Sequence, residues 1–260
     1  MSDHPTEPTG ARELARPPAY DFSGRRAVVT GGSHGIGAAI ALLLRSAGAQ
    51  VLVLDLEAGP GDVEVDLADR SGVEAVIPEV LHRLGGVDVL VNCAGMFLAG
   101  PVLGLDLAAY DRTLAVNLHA PVVLMRSLCE PMAAQGYGRV VNVTSIHARL
   151  SEPLSLAYDV SKAGLESATR TAALELAGHG VLVNAVAPGF VATRMSVVDG
   201  HDELQDAPFT EFYVGQGRLP LRRPARPEEV AHAVAFLASE QNSYIAGQTV
   251  TVDGGLSARF

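Results

Sequence analysis

The sequence predicts an α/β fold: a single domain built on a doubly wound parallel sheet of about seven strands, with helices on both faces. Three observations predict it. Short aliphatic runs alternate with amphipathic stretches of helical length, the order that parallel crossovers require. The runs are nearly continuous in apolar residues, as strands buried on both faces are. A glycine-rich turn, Gly31-Gly32-Ser33-His34-Gly35-Ile36-Gly37, joins the first run to the first helix, and an acid, Asp55, closes the second run.

Residues 1–20, rich in proline and in small and polar residues, predict a flexible arm ahead of a domain over 21–260. The first strand is read over 25–30, with Ala27, Val28 and Val29 at its centre, and the first helix over 38–47, closed by Gly48. A second strand over 51–54 and a third over 63–65, ending at Asp66, are separated by only seven residues, 56–62. That linker has no room for a helix, so one crossover reduces to a loop and bares an edge of any site beside it. Ser71 caps a helix through Leu84, and residues 87–91 form a fourth strand that enters Asn92-Cys93-Ala94-Gly95. A long helix is expected over 107–134, a fifth strand over 139–143, a helix over 156–177 ended by Gly178, and a sixth strand over 181–187 stopped by Pro188-Gly189. Residues 191–226, with several aromatics, read as a lid over a substrate pocket. A helix over 227–239, with Pro227 in its first turn and Glu228 and Glu229 near its positive end, precedes a seventh strand over 249–252.

The bulk properties exclude several function classes. A net charge of −10 argues against a nucleic-acid partner. No apolar run reaches the ~20 residues of a bilayer span, and no membrane association is expected. Cys93 and Cys129 lack metal-type spacing and read as reduced thiols, which with no recognisable leader predicts a cytoplasmic protein. The eight histidines form no His-x-x-x-His pair with an acid, so no metal is expected.

Two constellations carry chemistry. Lys162 is the only lysine among 19 basic residues and follows Tyr158 by four positions, a spacing that on a helix stacks both side chains on one face. A nearby ammonium favours the phenolate, so the pair reads as a tyrosine whose pKa is lowered until it exchanges a proton near neutral pH. The glycine turn sits where a Rossmann-like dinucleotide site needs it. Its glycines allow a tight turn and close backbone approach to a pyrophosphate, and the following helix offers free N–H groups to the phosphates. Asp55, 18 residues after Gly37, falls where a carboxylate binds ribose hydroxyls and repels a 2′-phosphate. With no arginine in the turn or just after Asp55, NAD is expected over NADP.

With these motifs in order (the glycine turn, Asp66, Asn92-x-Ala94-Gly95, Asn117, Ser145, Tyr158-x-x-x-Lys162, and Pro188-Gly189 with Thr193), residues 22–255 resemble the short-chain dehydrogenase/reductase family. Cys93 departs from its usual asparagine or alanine, with little effect expected on catalysis. The resemblance implies that Tyr158 is the general acid/base and that Lys162 lowers its pKa and holds the nicotinamide ribose. Ser145 would bond the substrate oxygen, and Asn117 would kink its helix and order a water that relays protons through Lys162. It places Gly31, Ser33, His34, Gly35, Ile36 and Gly37 around the cofactor phosphates. Asp66 and Leu67 fall by the adenine, Asn92, Ala94 and Gly95 by the adenosine ribose, and Pro188, Gly189, Val191 and Thr193 by the nicotinamide. It further implies a homotetramer with faces on the two long helices and the last strand; Leu118, Val122, Val123 and Met125 serve either core or interface.

The substrate pocket is expected from Met96, Phe97, His147, Leu150, Pro153, Phe190 and residues 195–219, with His147 read as a wall residue rather than a polar contact. The expected activity is NAD-dependent interconversion of a neutral secondary alcohol (a sugar, polyol or cyclic alcohol) and its ketone. The alternatives are a 3-oxoacyl thioester reductase, a non-catalytic NAD-binding regulator, and a dehydratase or epimerase without net redox change.

Overall fold

The computed structural model describes residues 20–198 and 200–258, so the arm anticipated over residues 1–20 lies, but for Tyr20, outside the described residues, as does Asp199. The strands are β1 (Arg26–Thr30), β2 (Gln50–Asp55), β3 (Val63–Glu64), β4 (Val89–Asn92), β5 (Gly138–Val143), β6 (Val181–Pro188), β7 (Val197–Val198), β8 (His201–Asp202) and β9 (Thr249–Val252). Seven of them form one sheet in the order β3-β2-β1-β4-β5-β6-β9, every neighbouring pair parallel. β7 and β8 make a separate antiparallel pair. The strand order reverses between β1 and β4, which opens a crevice at the carboxyl ends of those strands.

Helices α1 (Gly35–Ser46), α2 (Arg70–Leu84), α3 (Leu107–Leu114), α4 (Ala120–Gln135), α5 (Leu156–Leu176), α6 (Ala207–Phe209) and α7 (Pro227–Ala238) complete the fold. Side-chain alternation along each strand divides the core in two. Val28, Leu90, Val140 and Val183 pack with Val80 of α2, Leu124 and Leu128 of α4 and Ala173 of α5. Their neighbours Val29, Val89, Val91 and Val141 pack with Ile40 and Leu44 of α1 and Val234 and Leu237 of α7 on the other face. Both faces of the sheet are therefore covered, and the strands read as unbroken apolar runs for that reason.

Three local features differ from the sequence expectation or sharpen it. The long helix over 107–134 is α3 and α4 joined through a π turn at Ala115–His119, and Asn117 lies buried inside that turn. α5 continues through a 3-10 turn, Ala177–His179, so Gly180, at φ 77°, ends it, and not Gly178. The loop between β2 and β3 has no helix, as its length dictates, and β3 is only two residues long.

Residues beyond β6 build an irregular layer over the carboxyl ends of the strands. Leu204, Phe209 and Leu219 form a small core of their own, packed by Phe190, Tyr213, Val214 and Leu256. Phe190, Phe209 and Tyr213 contribute edge and tilted ring contacts with centroids 4.7–5.2 Å apart.

Candidate active site

The crevice at the β1/β4 reversal holds a cleft of about 1450 Å³. Its floor is the glycine turn. A Cβ on Gly31 would stand 2.7 Å from the Ala94 Cα, and one on Gly37 would overlap the Gly31 carbonyl oxygen, so only glycine lets β1, the turn and α1 approach this closely. The first turn of α1 contains no acid, and His34 at its N-cap makes no side-chain capping bond, so its first N–H groups remain available towards the cleft. Asp55, at the end of β2, accepts from the Ser33 N–H (3.0 Å) and the Glu57 N–H (3.1 Å). Burial acts to raise its carboxyl pKa, but these two donors, together with the Ser33 side chain and nearby His34, hold the group below the ordinary carboxylate value.

Ser145 sits at the end of β5, where its hydroxyl accepts from the His147 N–H (3.2 Å) and begins a 3-10 turn. Tyr158 and Lys162 stand on one face of α5, with the Lys162 Nζ 5.6 Å from the Tyr158 ring centroid. Burial pushes the Tyr158 phenol up, and the Ser145 hydroxyl in hydrogen-bond reach pulls it part of the way back. Lys162 is buried, donates to the Val143 carbonyl (3.0 Å), and is pushed down to about 8. Lysine as the dominant cause of a lowered tyrosine pKa is therefore corrected: desolvation moves the two groups in opposite directions, phenol up and ammonium down. Beside them the absence of a side chain on Gly95 keeps space open, since a Cβ there would meet Lys162 Nζ at 3.4 Å and Asn117 Oδ1 at 3.6 Å.

A smaller pocket of about 160 Å³ continues from Ser145 and Tyr158 away from the glycine turn, walled by Phe97, His147, Glu152, Phe190 and Met195. The dinucleotide-sized cleft, the small pocket and the Ser145–Tyr158 pair thus meet at one place.

A family model described as enoyl-(acyl carrier protein) reductase matches residues 31–257. Cis-4-hydroxycyclohexanecarboxylate dehydrogenase of Sinomonas cyclohexanicum is 36% identical, over 91% of this chain and 98% of that protein. The chain is a short-chain dehydrogenase/reductase. The 3-oxoacyl-[acyl-carrier-protein] reductase FabG of Thermotoga maritima is 35% identical to this family member, over 90% of the chain and 98% of the relative. A gluconate 5-dehydrogenase from Burkholderia cenocepacia, solved in complex with NADP and tartrate, superposes with a TM-score of 0.83 at 28% identity, over 92% of this chain and 98% of that one.

As an oxidoreductase of this family the protein is expected to bind a nicotinamide dinucleotide, and its residues fit one. The glycine cradle, the uncapped α1 N-terminus and Asp55 lie in line along the cleft wall, matching pyrophosphate and ribose chemistry. His34, Ile36, Asp66, Leu67, Ala94, Pro188, Gly189, Val191 and Thr193 also line it. Asp66 is engaged by Arg112 (3.2 Å) from across the cleft mouth.

Five expected site residues line neither cavity. Asn92 is buried with its Nδ2 donating to Asn142 Oδ1 (2.8 Å), so its side chain faces the sheet interior and does not line the cleft. Ser33 does not line it either; its hydroxyl donates to the Glu57 carbonyl (2.9 Å), which leaves it a support for Asp55. Leu150 and Pro153 are exposed and wall neither cavity. Asn117 lies behind the cleft wall. Its Oδ1 accepts from the Met96 N–H (2.8 Å), and its Nδ2 donates to the Met96 carbonyl (2.9 Å) and to Ser161 Oγ (3.1 Å).

Sequence reasoning missed Glu152 in the substrate pocket and Arg194, which lines the cleft and pairs with Glu57 (3.3 Å) beside Asp55. Neither carries a signal of spacing, because Glu152 sits in a loop and Arg194 in a three-residue 3-10 turn, and only the fold decides where these come to lie. Among the described residues no cluster of three or more His, Cys, Asp or Glu is placed to hold a metal ion, and no helix is long and apolar enough to cross a membrane.

Proposed function

We propose that the protein interconverts a neutral secondary alcohol and its ketone, with NAD as cofactor, Tyr158 as general acid/base and Ser145, Lys162 and Asn117 in support. One observation carries this reading: the Ser145 and Tyr158 hydroxyls come together where the small pocket opens into the dinucleotide-sized cleft. A bound nicotinamide supplies the hydride acceptor or donor. Oxidation of an alcohol releases a hydroxyl proton, which Tyr158 accepts; in reduction Tyr158 returns it to the carbonyl oxygen. Ser145 donates to the same oxygen and steadies the charge that grows on it. Lys162, with a pKa brought down to about 8, gains and loses a proton close to neutral pH and so passes it on from the phenol. Asn117, which anchors the Met96 backbone behind the cleft wall, is assigned to support a water on that route. Irregular segment 191–226 acts as the lid.

NAD is favoured because the Asp55 carboxyl is held below the ordinary carboxylate value at the end of β2, and Arg194, which lines the same cleft, is paired to Glu57. The test is a panel of alcohols and ketones read at the absorbance of the reduced cofactor, for wild type and Tyr158→Phe. Turnover in wild type that falls by about 10²–10⁴-fold in the variant, with cofactor affinity kept, is expected. Equal turnover in both would sink the proton-transfer assignment. A 3-oxoacyl thioester reductase is the second reading, favoured by the Thermotoga relative. The acids along the cleft mouth, Glu203, Asp206 and Glu211, weigh against an acidic carrier protein as partner. We further infer a cytoplasmic homotetramer.

A further inference from the structure

We propose that Glu152, set by His147 and Tyr213, is the specificity-determining residue of the substrate pocket and reads a second hydroxyl on the substrate. The substrate class is then a neutral diol or polyol, and not a mono-alcohol or a hydroxy acid. This rests on the secondary-alcohol reading above. The pocket beyond Ser145 and Tyr158 is otherwise apolar, with Phe97, Ile146, Phe190 and Met195 as walls, so His147 and Glu152 are what a polar substrate tail would meet.

The hydrogen-bond inventory decides what that tail must be. His147 Nδ1 stands 2.8 Å from Asp159 Oδ1, a contact that turns the other ring nitrogen, Nε2, towards Glu152. Nε2 faces Glu152 Oε2 at 3.9 Å, too far for a direct bond. The other carboxylate oxygen, Oε1, already accepts from the Tyr213 hydroxyl (3.1 Å), which orients Glu152. Among the described residues Glu152 Oε2 takes no hydrogen bond, so it is free to accept from a substrate donor. A hydroxyl fits, because its O–H satisfies the carboxylate and leaves the oxygen to face the pocket.

The same carboxylate sets what is refused. No arginine or lysine lines this small pocket, so an anionic substrate tail would meet Glu152 without compensation. The hydroxy-carboxylate chemistry named for the Sinomonas relative is thus expected to be disfavoured here.

The experiment compares kcat/KM on matched pairs: 2,3-butanediol with 2-butanol, and trans-1,2-cyclohexanediol with cyclohexanol, with 3-hydroxybutyrate as the anionic probe. Wild type, Glu152→Gln and Glu152→Leu are each assayed with NAD and with NADP. Wild type is expected to favour each diol by about 10- to 100-fold, the worth of a hydrogen bond to a charged group. Glu152→Leu should bring that ratio to within about two-fold, and Glu152→Gln, whose amide oxygen still accepts, should retain part of it. Both variants should gain on 3-hydroxybutyrate relative to the mono-alcohols. A diol ratio near one in wild type, or a ratio that survives in Glu152→Leu, overturns the proposal while leaving the secondary-alcohol reading intact. No turnover of any of these compounds with either cofactor overturns that reading itself, and this proposal with it.

Discussion

Lys162 shows how one buried residue couples stability to function. Its ammonium is pushed from 10.5 down to about 8 by burial, so folding opposes its protonation. The sign follows from proton counting. Between pH 8 and 10.5 the unfolded chain binds more protons than the native one, and stability rises with pH across that window; below it both forms are protonated and the cost is constant. Lys162→Met removes the charge and keeps the length. At pH 7 the variant should therefore be more stable by about 2–3 kcal/mol, less what is lost with the bond to Val143, and inactive. The advantage should shrink as pH is raised towards 10.5, which urea titrations at pH 7 and pH 10 would measure; a variant less stable than wild type at both values would refute the linkage. Asp55 gives a second residue-scale expectation. Asp55→Ala removes the carboxylate that opposes a 2′-phosphate, and the ratio of kcat/KM for NAD over NADP should fall by about ten-fold or more. An unchanged ratio would show that Asp55 does not set the preference. The pairing of Tyr158 with Lys162 was legible because four residues on a helix fix a shared face. The direction of the Tyr158 shift was not, because desolvation depends on walls such as Phe97 and His147 that arrive from distant loops.

The π turn at Ala115–His119 is the element on which the loop after β4 depends. Widening the helix by one residue per turn frees room for Asn117, whose amide clamps both the N–H and the carbonyl of Met96 and reaches Ser161 on α5. The next residue, Phe97, lies edge-on to Tyr158 with ring centroids 5.5 Å apart. Asn117→Leu keeps the branching of the side chain but strands two partly buried backbone groups, and an unfolding midpoint corresponding to a loss of about 2–4 kcal/mol is expected. The substrate KM should rise as Phe97 loses its anchor. Stability and KM both at wild-type values would mean that Asn117 anchors nothing. At this scale the sequence was a good guide wherever periodicity spoke. The seven sheet strands were legible as apolar runs because the sheet is covered on both faces. The helix-free β2–β3 crossover followed from seven residues being too few for one. What escaped were features without a period. The π turn looks like helix, α6 and the turn after it are too short to show a moment, and the apolar run gives no hint of which way Asn92 points. Its amide is claimed by Asn142 on β5, a partner fifty positions away.

The whole molecule presents apolar side chains where its fold offers no cover. Leu174 on α5 is 85% exposed and Leu107 on α3 67%, with Val122 on α4 also exposed, whereas Val123 and Met125 turn into the core. β9 is the last strand of the sheet and leaves one edge unpaired among the described residues. A chain carrying a net charge of −10 stays dispersed by repulsion, so self-association must rest on apolar area and not on bulk electrostatics. The proposed homotetramer places its contacts on these helices, where each buried leucine contributes about 1.5–3 kcal/mol. Leu174→Glu combined with Val122→Glu would bury unpaired charges at such a contact, a cost that association cannot absorb. Sedimentation velocity is expected to show wild type as a species of four chains and the double variant as a smaller one, with the far-ultraviolet circular dichroism of the two alike. The variant also tests whether the pocket needs its neighbours. If each chain completes its own Ser145–Tyr158–Lys162 site, as the single chain does here, the smaller species should keep cofactor affinity within about two-fold. A double variant that sediments with wild type would remove α4 and α5 from the interface.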